Sequence, residues 1–464
     1  MSNSIAKDFK LFSLLRFALP TMVMMVFMSL YTIVDGIFVS RLVGADTLSS
    51  VNIVYPVINL LIAAGVMLAS GGSAVIAKKL GEGKEKEAKE DFSFLVLFGF
   101  ILGVLMMVLG NLFLEPIVKA LGATPVLVDY CMDYLGVCLF LAPACMLQLL
   151  FQTFFVTAGK PIAGLVLTIS GGIANMILDY LFMGPVNMGI KGAALATGIG
   201  QLIPAVAGLI YFSSFHGSLH FVRPRFRFRV LMDSCTNGSS EMVTNLSTAV
   251  VTYLFNMTML KFLGETGVAA ITIVLYGQFL FTAMYMGFSM GVAPVISYNY
   301  GRDHRVLLRR IFKICVGFIS VSSVVITVIA LLSAPFIVQI FTPVETETYA
   351  IAKEGFFLFS INYIFAGINI FASSMFTAFS DGKTSAIISF VRTFVLLVLN
   401  ILLLPAVLGV TGIWLAVPAA EFFTVFLFPE KKKCLPLCVR KKLPSFLKEA
   451  FFCLILPEYS LLTG

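Results

Sequence analysis

Apolar residues run along this chain in blocks that are too long for the core of a soluble domain. Stretches of 18 or more recur over the whole length, separated by short polar or basic connections. A helix needs about 20 such residues to cross the hydrocarbon of a bilayer. The pattern marks twelve spans, at 12–40, 50–77, 92–113, 126–156, 162–183, 190–212, 238–262, 267–297, 311–332, 348–377, 384–405 and 410–428. Several exceed the minimum length and are expected to tilt or protrude. A membrane barrel would show alternating segments of about ten residues instead, and none occurs. The expected fold class is an all-α polytopic membrane protein with twelve transmembrane helices.

The same pattern repeats. "RLVGADTLSSVNIV" at 41–54 aligns with "KFLGETGVAAITIV" at 261–274, an offset of 220. "GGSAVIAKKLG" at 71–81 aligns with "GVAPVISYNYG" at 291–301, and "GIKGAALA" at 189–196 with "GVTGIWLA" at 409–416, both at 220. Six spans precede the repeat point and six follow, so both copies enter the membrane in the same direction. This is a parallel repeat about an axis along the membrane normal. The expected organisation is an N-terminal lobe at 1–214, a basic linker at 215–233, a C-terminal lobe at 234–428 and a basic tail at 429–464. "LPSFLKEAFFCLI" in that tail has the pattern of a short interfacial helix.

Charge orients this arrangement. The chain is 59% hydrophobic and 12% charged, with mean hydropathy +0.99, whereas a soluble domain is about 25% charged. Basic residues gather in alternate connections: Lys78, Lys79, Lys84, Lys86 and Lys89; then Arg223, Arg225, Arg227 and Arg229; then Arg302, Arg305, Arg309 and Arg310. The positive-inside rule puts these and both termini in the cytoplasm of a multi-pass protein of the cell (inner or plasma) membrane. The net charge of +8 reports these loops and implies no nucleic-acid partner. The polar start "MSNSIAKDFK", with no small-residue cleavage site after it, reads as the lead into a first span rather than a signal peptide. The eight cysteines show no framework spacing, and the close pair Cys434 and Cys438 reads as ordinary tail residues.

Enzyme motifs are missing. "GKT" at 382–384 has the ending of a phosphate loop, but the first glycine of that motif would fall at Thr377. His216, His220 and His304 sit in connections without ligand spacing. No cofactor or metal centre is expected, and any transport must draw on an ion gradient.

Ionisable residues inside apolar spans are costly, about 2.5–3.5 kcal/mol each on insertion scales, so the few present are informative. Asp35 lies in the first span and Asp179 in the fifth. At the 220 offset Asp35 corresponds to Phe255, and Asp179 falls near Leu399 and Asn400. The second copy keeps the scaffold and drops both acids, which points to a site inside the first lobe. Asn175 precedes Asp179, and Tyr31 precedes Asp35, by four residues, so each pair shares a helix face. Tyr134, Gln148 and Gln152 add polar groups on the fourth span, and Thr197 follows on the sixth. A carboxylate in such a cage can bind and release a proton, or hold Na+ at Asp35, Asp179 and Asn175. A polar cluster that only joins helices uses the same residue types. Glu241 opens the seventh span, where it can cap a helix or line a cavity, and Asn256 lies further along the same span. Glu421 in the twelfth reads as structural. Abundant Met (21) and Phe (45) suit a cavity for varied apolar ligands.

The segments "LP…YTIVDGIFVSRLVG", "AGKP", "NMILDYLF", "MGIKGAALATGIGQ", "GVAPVISYNYGR" and "SDGKTS", in that order over about residues 11–428, resemble those of the bacterial multidrug and toxic compound extrusion (MATE) family. The resemblance implies two six-helix lobes in a V and alternating access. It implies proton- or sodium-coupled antiport that exports small organic cations, carried out by a monomer in the bilayer. It also implies a first-lobe network of Asp35, Asn175, Asp179, Tyr134 and Thr197, as in the branch with its acidic site in the N-terminal lobe. Ion binding at Asp35 and Asp179 is then expected to reshape the first lobe, bend the first helix near Pro20 and expel substrate outward. The sodium-coupled branch adds acids on helices seven and ten; the tenth span here has Asn362 and Asn369 instead. The alternative within the same superfamily is a lipid-linked polysaccharide or lipid flippase. A flippase needs cationic residues within the cavity spans, and only Arg16, Lys261 and Arg392 come near.

Overall fold

The computed structural model describes residues 4–43, 45–214 and 217–426. His216, Cys434, Cys438 and the tail from 429 onward lie outside the described residues. The described residues form twelve helical passes. The first lobe holds α1 (Leu11–Leu42), α2 (Ala45–Gly81), α3 (Glu85–Leu112), α4 (Val128–Phe140 with Ala142–Thr157), α5 (Pro161–Met183) and α6 (Gly189–Ser213). The second holds α7 (228–263), α8 (265–301), α9 (Arg305–Phe341), α10 (Glu347–Phe359 with Tyr363–Ala378), α11 (Gly382–Leu408) and α12 (Val410–Val425). Helix α1 runs unbroken through Pro20.

The irregular points follow from local chemistry, and they repeat. Helix α4 bends by 53° at Leu141, two residues before Pro143, whose ring and missing N–H interrupt the ladder. Its counterpart α10 breaks at the 3₁₀ turn Ser360–Asn362, and Ile361 is Leu141 plus 220. Gly189 and Gly409, also 220 apart, both stand at φ +59°, a value that favours glycine. Helices α7 and α8 are continuous except at Gly264 (φ 65°, ψ −154°). A straight 74-residue helix would be about 110 Å long at 1.5 Å per residue, so the reversal at this glycine makes two spans. Helix α7 starts at Phe228, inside the stretch read from sequence as linker.

One feature has no counterpart in the other copy. In the middle of α11 the hydrogen bonds widen to the π pattern over Val391–Leu396. Such stretches recur at functional sites.

The lobes meet through glycines at the end that carries the basic connections. A Cβ on Gly71 would lie 1.9 Å from the Ser234 carbonyl oxygen, and one on Gly238 1.9 Å from that of Met67. Gly81 would meet the Tyr298 oxygen at 1.9 Å and Gly301 the Lys78 oxygen at 2.1 Å. Residues 81 and 301, and 78 and 298, are repeat equivalents, so the seam follows the internal two-fold. Gly291 against Ala18 mirrors Gly71 against Gly238. Two turns further in, Asn59 Nδ2 donates to the Asn245 carbonyl at 2.8 Å. Lipid tails are as apolar as leucine, so close backbone approach of this kind holds membrane helices together. At the opposite end the lobes come together through side chains, with the Tyr276 hydroxyl 3.9 Å from a Cβ built on Gly36.

Candidate functional site

In the first lobe, glycine packing builds the polar site. A Cβ on Gly171 would lie 2.4 Å from the Gly200 oxygen, and one on Gly200 would lie 2.8 Å from the Gly171 oxygen. Helices α5 and α6 therefore touch backbone to backbone, and Asn175 Nδ2 reaches Thr197 Oγ1 at 3.4 Å. On the other face of α5, Gly172 leaves room for rings of α1. A Cβ there would meet Phe27 at 2.6 Å and Tyr31 at 3.2 Å. One turn beyond Tyr31, Asp35 faces Asp179, which has Asn175 as a neighbour. Tyr134 on α4 stands near both carboxyl groups, with Cys138 beside it.

Asp179 is fully buried and Asn175 is 3% exposed, while Asp35 is half-buried. Both Asp179 carboxyl oxygens, Asp35 Oδ1 and Asn175 Oδ1 are buried without a hydrogen-bond donor. Four oxygens in that condition within one cluster are far from the rule that buried polar atoms are paired. A proton on a carboxyl group, or a hard cation held by oxygens, satisfies such a set. The structure thus brings Asp35, Asp179, Asn175, Thr197 and Tyr134 together, with Tyr31 at the edge. Gln148 is buried on α4, and Gln152 on the next turn turns toward α1, its Nε2 3.0 Å from Met28 Sδ.

Glu241 and Asn256 belong to the other lobe. Asn256 lines a cleft of about 740 Å³ with Tyr253, Met257, Glu265, Tyr276 and Phe341, near the α7–α8 turn. Glu241 lies within electrostatic reach of Arg392. Arg392 Nη1 is 3.6 Å from Glu421 Oε1, both side chains nearly buried. Asn369 Nδ2 donates to Glu421 Oε2 at 2.6 Å and to its carbonyl at 2.8 Å. Read along the sequence these residues stand singly, and their order does not show that Arg392, Glu421 and Asn369 meet. The signal available was Arg392 itself, a cation inside an apolar span.

A second group missed from sequence lies at the basic end. Buried Asp91 pairs with Lys79 and with Arg227 at 3.3 Å. Arg227 also binds Glu90 at 2.6 Å and Glu87 at 3.2 Å. This network ties the segment before α7 to the start of α3.

Known proteins give the same picture. The MatE family model matches residues 20–181 and 242–402. The multidrug export protein MepA of Staphylococcus haemolyticus is 24% identical over 431 residues, which cover 89% of this chain and 91% of that protein. A crystal structure of MATE in the straight conformation superposes with TM-score 0.86 at 20% identity, covering 97% of this chain and 99% of the other. The outward-facing conformation of a multidrug resistance MATE family transporter gives 0.84 at 21% identity, covering 89% and 92%. A family match that covers most of the chain and falls once in each copy of the repeat leaves one assignment: the chain belongs to the multidrug and toxic compound extrusion family of membrane transporters.

Proposed function

We propose that this transporter exports small organic cations, drugs among them, in exchange for protons or Na+, by alternating access between its two lobes. The observation that carries the reading is the set of four buried oxygens without donors on Asp35, Asn175 and Asp179. It occurs in one lobe of a repeated scaffold, where a purely structural cluster would have reason to occur in both. These oxygens bind the coupling ion, with Thr197 and Tyr134 orienting Asn175 and the carboxyl groups. Substrate and ion drive each other only if each binds the two states with different affinity. The function of the relatives, multidrug export, supports the same reading, which places the protein as a monomer in the cell membrane with both termini cytoplasmic.

A flippase for lipid-linked sugars needs a free cation in the cavity to hold pyrophosphate. Arg392, the deepest candidate, is matched by Glu421, which weighs against that reading.

Reconstitution in proteoliposomes with an imposed proton or sodium gradient and ethidium as substrate tests the proposal. Asp35→Asn and Asp179→Asn should each abolish gradient-driven ethidium movement while leaving the protein folded in the membrane. Full export by both variants refutes the site assignment, and ethidium movement indifferent to either gradient refutes the coupling.

A further inference from the structure

The second lobe has a polar cluster of its own. At the 220 offset Glu241, Arg392, Glu421 and Asn369 correspond to Thr21, Gly172, Gln201 and Leu149. None of the four equivalents is charged. The asymmetry that singles out Asp35 and Asp179 in the first lobe therefore applies in reverse to this group. The π stretch 391–396 maps onto 171–176 of α5, the segment that carries Asn175 in the first-lobe site. The two lobes thus use the same place in the repeat for different polar equipment.

The charges do not balance. Arg392 stays protonated in any protein environment, Glu421 lies beside it and Glu241 is within electrostatic reach, so the trio carries a net charge of −1 when both carboxylates are ionised. Its pairing with Glu421 is loose, at 3.6 Å, while Glu421 is fixed from its other side by Asn369. Arg392 Nε is buried with no acceptor, and so is Asn369 Oδ1, with no donor. Arg392 is 7% exposed and Asn369 fully buried. Arg392 sits on the π-pattern stretch of α11, a local irregularity of the kind that recurs at functional sites.

Position adds a mechanical link. Glu241 lies three residues after Gly238, which meets Met67 of the first lobe, and four before Asn245, whose carbonyl takes the Asn59 hydrogen bond. Both neighbours face the other lobe. Glu241 is half-buried, one turn inside the glycine seam, so any opening of the seam alters its surroundings directly.

We propose that Glu241, Arg392 and Glu421 form a charge-switched subsite for the cationic group of the transported molecule. Glu241 takes a monovalent ammonium or guanidinium group while Arg392 rests on Glu421. When Arg392 turns to Glu241, the cation is displaced. The class of ligand is a singly charged organic cation, because one positive charge completes the trio. This inference rests on the export reading above and names its second-lobe contact.

The test uses the full chain in lipid nanodiscs, with ethidium binding measured by fluorescence and folding checked by thermal unfolding. Glu241→Gln should weaken ethidium binding about tenfold or more, the size of one desolvated charge contact, and Glu241→Asp should retain most of it. Glu421→Gln leaves Glu241 intact but releases Arg392 to occupy it, so it should weaken binding about as much. Arg392→Met combined with Glu421→Gln removes the competitor and should recover binding to within about threefold. Wild-type affinity in Glu241→Gln or in Glu421→Gln overturns the switch. A folded double variant that stays weak marks the trio as a brace and also overturns it. If these variants bind normally while Asp35→Asn abolishes coupled transport, the subsite fails and the export reading stands. If the unaltered protein neither binds nor moves ethidium, both fail.

Discussion

The glycine seam can be tested by adding a single methyl group. In Gly238→Ala the new Cβ would sit 1.9 Å from the Met67 carbonyl oxygen and 2.9 Å from its Cα. Ordinary contact begins near 3.4 Å, so α2 and α7 must separate by about 1.5 Å, because the obstacle is backbone and cannot rotate away. Overpacking of this kind costs about 1–3 kcal/mol. The cost falls only on the arrangement in which the seam is closed, so it shifts the population toward the seam-open form by roughly 5- to 150-fold. Gly291→Ala, at the symmetry-related contact, meets Ala18 at 3.1–3.2 Å and should shift it less. Gly317→Ala is the control, since nothing lies within 4 Å of its Cβ. Spin labels at Lys86 and Val306, exposed positions at the basic end of each lobe, report the opening by pulsed electron resonance. The long-distance population should rise in the order Gly317→Ala, Gly291→Ala, Gly238→Ala. A Gly238→Ala distribution that matches Gly317→Ala, in a protein of unchanged melting temperature, refutes the assignment of the seam as the closing contact.

Two further variants probe the scaffold. Arg227→Ala leaves buried Asp91 with Lys79 alone and exposes Glu87 and Glu90 to mutual repulsion. It should lower the unfolding temperature by an amount reflecting about 1–3 kcal/mol, with partial recovery in Arg227→Lys and no change in ethidium affinity; an unchanged melting curve shows that the network is only a surface feature. Gly409→Ala meets no atom within 4 Å, but its φ of 59° and ψ of −139° are strained for any side chain. It should cost about 1–3 kcal/mol by thermal unfolding, and a neutral result means the turn relaxes into another geometry.

What could be read from sequence was set by contrast. Asp35 and Asp179 stand out because a charge inside an apolar run has no other excuse, and their i−4 partners follow from helix geometry. The twelve passes and the two lobes follow from run length and the 220-residue repeat, and the breaks at Leu141 and Ser360–Asn362 show that the repeat extends to the backbone. Contacts between distant segments were not legible. Glu241 and Arg392 are separated by 151 positions, and nothing in either flank announces the other. The seam glycines were hidden for a different reason: glycine is frequent in membrane helices, so Gly71 and Gly238 look like their neighbours until the carbonyls facing them are known. Asp91 falls just outside a predicted span, and its pairing with Arg227 depends on the connection before α7 folding back onto the start of α3.

The two polar clusters differ in their distance from the seam. Helices α1 and α7 are repeat equivalents, and each carries a seam contact and an acidic residue. In α1 the contact residue Ala18 and Asp35 are 17 positions apart, about 25 Å along a helix. In α7 Gly238 and Glu241 are three apart, about 4.5 Å. A change at the seam therefore reaches Glu241 through a single turn of helix, whereas it reaches Asp35 only through movement of the whole of α1 against α5. On the proposed reading the substrate cation would be released by the opening itself, as the surroundings of Glu241 change. The coupling ion would respond to the tilt of α1, which alters the fit of Tyr31 and Asp35 against Gly172 and Asp179. Two carboxylate sites on equivalent helices, one beside the hinge contact and one far along the lever, give substrate and ion different sensitivities to the same motion. Exchange requires that difference, because ligands that favour both states equally cannot drive one another.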